Sequence, residues 1–81
     1  MTAPTLEIED RVRQMIREVT AIPVHKIELH HHLREDLGMD SVRAMELISV
    51  LDEELDVEVD LDEALAVQTV AQVVDLARRY S

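Results

Sequence analysis

An 81-residue chain that is 47% hydrophobic but has only one aromatic residue, Tyr80, has room for one small aliphatic core and none for a separate catalytic domain. Its formal net charge of −10 disfavours nucleic acid and anionic membranes as partners, and the lack of cysteine removes disulfides and zinc-thiolate sites. No apolar run reaches the length of a signal peptide core or a membrane span, so the cytoplasm is the expected location.

In chain order, Ile8, Val12, Met15, Ile16 and Val19 recur at helical spacing among charged residues, which predicts a first helix over residues 6–20. Acids lead this helix and bases follow, as the macrodipole favours, and Pro23 stops it. Residues 22–38 show no sustained period. They form a long connection in which Ile27, Leu29, Leu33 and Leu37 can pin the chain across a bundle, and a connection of this length is usually functional. A second helix begins near Asp40, whose carboxylate can cap it, and ends near Leu55. Met45, Leu47, Ile48, Leu51 and Leu55 point to the core.

Residues 56–60 alternate acid and valine like a strand, but no second strand exists to pair with them. A short third helix is expected over 61–66. Thr69 then caps a last helix with Val70, Val73, Val74 and Ala77 on its inner face and Arg78 and Arg79 at its C-terminus. The predicted fold is an all-α bundle of three longer helices plus one short helix, a single domain over 1–81.

The charge is concentrated in one half: from Glu35 to Glu63 there are twelve acids and one base, Arg43. Such a face suits partners with basic patches, or is simply a solvated surface. The tract His30-His31-His32 invites a metal reading, but consecutive residues lack the i, i+4 convergence of a helical site, so a solvated loop is expected for it and for the isolated His25. The acids around 52–63 lack the spacing and central glycine of a calcium loop. Neither motif defines a metal site.

Ser41 follows the only glycine, Gly38, and opens the second helix. A hydroxyl there faces free amides and the positive end of the helix dipole, where a phosphodiester is stabilised; the plain alternative is that Asp40 and Ser41 are ordinary caps. Nucleophilic catalysis is disfavoured, because no Gly-x-Ser-x-Gly surrounds Ser41 and neither Asp40 nor Arg43 replaces a histidine base.

The run Glu35-Asp36-Leu37-Gly38-Met39-Asp40-Ser41-Val42, followed by Met45-Glu46-Leu47 and Leu51-Asp52-Glu53-Glu54-Leu55, resembles the acyl carrier protein family. Ile8-Glu9-Asp10-Arg11-Val12 resembles that family's first helix, and Thr69-Val70 with Val73, Asp75 and Leu76 its last. The resemblance spans nearly the whole chain. It implies a carrier rather than an enzyme, with 4'-phosphopantetheine mounted on Ser41 by a phosphopantetheinyl transferase that uses coenzyme A and magnesium. Asp40 and Gly38 support the motif, and acyl groups ride as thioesters on the arm.

The resemblance further implies docking of acyl- or aminoacyl-activating enzymes and synthases through Val42, Arg43, Met45, Glu46, Asp52 and Glu53. Met45, Leu47, Ile48, Leu51, Val67 and Val70 could line a cleft for an aliphatic chain, although each is more simply core. Two positions depart from the family pattern. Arg43 stands where an acid is frequent, and Asp60 where proline is common; with the apolar Leu61 and Leu65 they point to a specialised pathway. Alternatives are an aminoacyl or peptidyl carrier and an acidic interaction module without a prosthetic group. A monomer is expected, and Met1 suggests a free-standing protein.

Overall fold

The computed structural model describes residues 4–80, and the side chains of 8–80. Met1 lies outside the described residues. Four α-helices form: α1 (Pro4–Thr20), α2 (Ser41–Leu55), α3 (Leu61–Ala66) and α4 (Val70–Tyr80), with a single 3-10 turn, Val24–Lys26, in the long connection. The helix order and α3's limits match the sequence expectation, while α1 begins two residues earlier, at Pro4, where a proline fits the first helical turn. No strand forms among the described residues, and one isolated antiparallel bridge joins His32 to Thr69.

The core is aliphatic. Val12, Met15, Ile16 and Val19 of α1 meet Leu47 and Leu51 of α2 and Val70, Val73, Val74, Leu76 and Ala77 of α4. Leu76 joins the inner face that spacing assigned to Val70, Val73, Val74 and Ala77. From the connection, Ile27, Leu33, Leu37 and Met39 are buried and Leu29 half-buried, so this long segment is packed and not a free loop. It is also held by the backbone: Leu33 donates to the Gln68 carbonyl at 2.9 Å, and Val70 and Ala71 donate to the carbonyls of His31 and Leu29 at 3.0 and 2.9 Å. Two orphan amides at the start of α4 thereby find acceptors.

Thr69 caps α4 as expected, and Gln72 returns the interaction. Thr69 Oγ1 accepts the Gln72 N–H at 3.2 Å while Gln72 Oε1 accepts from Thr69 at 3.1 Å and Gln68 at 2.6 Å. At the other end of α2, Asp56 turns left-handed (φ 52°) and its N–H closes the helix. Val59 then folds inward, donating to Asp52 Oδ1 at 3.0 Å.

Met45 corrects the sequence reading. Placed in the core by its spacing, it is 47% exposed. The core stripe of α2 is Leu47 and Leu51, with Ile48 and Leu55 half-buried beside it.

Candidate functional site

The turn that delivers Ser41 is built by backbone hydrogen bonds closing on His32 and Leu33. Asp36 and Leu37 donate to the His32 carbonyl, at 2.9 and 3.2 Å, Gly38 to Arg34 at 3.1 Å, and Met39 to Leu33 at 2.9 Å. Gly38 has φ +66°, a left-handed conformation that side chains resist, although nothing within 4 Å would meet a Cβ there. Its role is conformational. The His32 N–H donates to Asp36 Oδ2 at 2.7 Å, and this bond, with smaller help from the His31 and His32 imidazoles, holds the Asp36 carboxyl below an ordinary aspartate's 3.8.

Asp40 is extended and caps α2, its Oδ1 accepting the Arg43 N–H at 2.9 Å while its carbonyl accepts from Ala44 at 2.9 Å. Ser41 is the first helical residue and is exposed. Helix geometry leaves its N–H and that of Val42 without an i−4 acceptor. Beside Ser41 opens a cavity of about 740 Å³ between α2 and α3, walled by Met39, Ala44, Met45, Leu47, Ile48, Leu51, Ala64, Leu65, Val67, Val73 and Leu76. His32, Arg34, Glu35, Asp40 and Gln68 form its polar part with Ser41. An exposed serine at a helix start and an aliphatic chamber thus share one opening.

Of the six residues expected at a cleft, Met45, Leu47, Ile48, Leu51 and Val67 line this cavity. Val70 does not; it is fully buried in the core. Sequence reasoning missed the contributions of Ala64, Leu65, Val73 and Leu76. The apolar character of Leu61 and Leu65 on the short helix was the available signal.

The expected docking residues separate into two groups. Val42 (66% exposed), Met45, Glu46 and Glu53 lie open on α2, and among the described residues neither Glu46 nor Glu53 forms an ion pair. Asp52 is half-buried with one carboxylate oxygen committed to Val59. Arg43 is exposed as well, but its guanidinium donates to the Val19 carbonyl of α1. These two side chains serve the fold before any partner.

The histidine tract is less loose than expected. A turn in which His31 donates to the Glu28 carbonyl at 3.1 Å brings ligand atoms of Glu28, His30 and His31 within 4.8 Å of one another, so adjacency does not prevent convergence. However, His31 Nδ1 accepts the Glu28 N–H at 3.1 Å, which puts the proton of the neutral ring on Nε2, the atom 4.0 Å from the Glu28 carboxylate. Its lone pair already closes the turn. His25 stays exposed in the 3-10 turn.

Comparison with known proteins agrees with the geometry. The family model for the phosphopantetheine attachment site matches residues 10–77. An acyl carrier protein of Saccharopolyspora erythraea is 39% identical over 70 residues, spanning 86% of this chain and 74% of that protein. A solved structure from Mycobacterium tuberculosis, described provisionally as an acyl carrier protein, superposes with a TM-score of 0.85 at 24% identity, covering 91% of this chain and 99% of that one. At that identity it is the fold that is shared.

Proposed function

From the premise that this chain belongs to the acyl carrier protein family, we propose that Ser41 is its phosphopantetheine attachment residue and that it shuttles acyl thioesters between enzymes of a fatty-acid, polyketide or specialised pathway. The observation that carries this reading is the exposed Ser41 hydroxyl at the lip of the aliphatic cavity. When bound, the group supplies a flexible arm ending in a thiol that holds acyl groups as thioesters.

The chain's own residues supply the mounting and the shelter. The first-turn amides of α2 and its dipole stabilise a phosphodiester on Ser41 Oγ. The hydroxyl at the start of α4, that of Thr69, accepts the Gln72 N–H. Ala44, Met45, Ile48, Leu65 and Val67 offer an aliphatic cargo a surface away from water. Glu46 and Glu53, with Val42 and Met45 between acids, suit enzymes that present basic side chains around an apolar patch. No helix among the described residues is long and apolar enough to cross a membrane. In this reading the chain works as one carrier domain in the cytoplasm.

The test is intact mass after incubation of the chain with coenzyme A, magnesium and a broad-specificity phosphopantetheinyl transferase. One added phosphopantetheine on the parent and none on Ser41→Ala is the expected result. An unmodified parent across several transferases, or a modified Ser41→Ala, overturns the assignment. Loading with acyl- and amino-acid-activating enzymes then reads the cargo, and preference for an amino acid overturns the acyl assignment.

A further inference from the structure

The only base on the acidic second helix stands where that helix's field opposes it. Arg43 is in the first turn of α2, the positive end of the dipole, where a cation is disfavoured. Its guanidinium Nη1 crosses to the carbonyl of Val19, in the last turn of α1. There the carbonyls lack helical amides and the dipole is negative, so a charge unfavourable to its own helix is favourable to its neighbour's end. Arg43's backbone N–H is the one that Asp40 accepts at 2.9 Å. A single residue therefore ties the C-terminus of α1 to the Asp40–Ser41 turn.

The opposite end of the helix pair has a matching strap. Arg11 Nη2 of α1 donates to the Glu54 carbonyl in the last turn of α2 at 2.5 Å, with the Glu54 carboxylate at 3.7 Å. Glu54 lies thirteen residues beyond Ser41, roughly 20 Å along the helix. One strap is at the candidate site and the other is remote from it. Ser41 and Arg43 are about 200° apart around α2, so the guanidinium anchors on α1 while Ser41 lines the cavity mouth.

We infer that Arg43 is a positioning residue for modification of Ser41: by holding the first turn of α2 against α1 it fixes the direction in which the hydroxyl is presented, and its charge is spent on Val19 rather than on docking. The inference rests on Ser41 being the attachment residue. Its test compares transferase kinetics on the apo-protein for the parent, Arg43→Met, Arg43→Lys and Arg11→Met, with thermal melting of each. Arg43→Met should lower kcat about tenfold with KM unchanged, since misorientation of a reacting group acts after binding. Arg43→Lys, which keeps a donor, should recover most of that loss. Arg11→Met should lower the melting temperature comparably and leave kcat at the parent's value.

A parent-like kcat in Arg43→Met overturns the inference. So does a rise in KM that salt abolishes, which would make Arg43 a docking cation, or an equal loss of kcat in Arg11→Met, which would make the effect one of general loosening. An unmodified parent removes the Ser41 reading and this inference with it; a modified parent with an indifferent Arg43→Met removes the inference alone.

Discussion

Asp60 performs two tasks that a proline at the same position could not. Its carboxylate accepts from the amides of Asp62 and Glu63, at 2.9 and 3.2 Å, and its own N–H donates to the Tyr80 phenol oxygen at 3.1 Å. A proline has neither the carboxylate nor the N–H. The departure from the family pattern thus reflects a local choice: the start of α3 is capped by its own side chain and tied to the end of α4. Arg79 reinforces the tie through Glu63 at 3.4 Å. Tyr80→Phe should lower stability by about 0.5–1.5 kcal/mol, the net value of one hydrogen bond, and Asp60→Pro should cost about 1 kcal/mol more for the lost cap. Urea unfolding measures both; equal losses in the two variants would show that the carboxylate contributes nothing. The short helix was placed from the sequence without Asp60 being named as its cap, and the phenol contact joins residues twenty apart and has no sequence signal.

At the scale of the helix, α2 serves two surfaces at once. Leu47 and Leu51 are buried in the core and wall the cavity from within, whereas Ser41 and Met45 border it exposed and Ala44 and Ile48 half-buried. Periodicity records only that residues share an apolar side; it cannot separate a wall packed by neighbours from a wall facing an opening, which is why Met45 reads as core. The start of α2 was legible because Asp40 is a strong cap with a local partner; α3 is capped in the same way by Asp60, which had stood out in the sequence only as a departure from the family pattern. The position of Leu33 under the turn depends on a bond to Gln68 across the bundle, so it was legible only as an apolar residue needing cover. Leu51→Ala should therefore destabilise by about 2–5 kcal/mol, as deletions in a filled core do, while Met45→Ala should stay within about 0.5 kcal/mol. Denaturant midpoints at constant slope test this, and a large loss in Met45→Ala would place that side chain back in the core.

For the whole molecule, what matters is where the few cations are spent. Arg11 reaches Glu54, Arg13 pairs with Asp10 at 3.9 Å, Arg78 with Glu9 at 3.6 Å and Arg79 with Glu63, while Arg43 turns to Val19. The outer face of α2 keeps Glu46 and Glu53 without ion pairs among the described residues, so part of the excess of eighteen acids over eight Lys and Arg is exposed along the helix that Ser41 opens. A concentrated field of one sign speeds encounter with a basic partner, while each exposed pair formed adds only about 0–1 kcal/mol, which leaves release fast. Glu46→Lys should consequently raise the KM of the transferase for the apo-protein by up to about fivefold per pair lost at low salt, with kcat and helix content unchanged. The difference should shrink as ionic strength rises from about 0.01 to 0.15 M, because the screening length falls from about 30 to 8 Å. Steady-state kinetics across that salt range, with circular dichroism of both proteins, provides the measurement. Equal KM values at low salt would mean that the acidity of α2 keeps the chain dispersed and takes no part in choosing its enzymes.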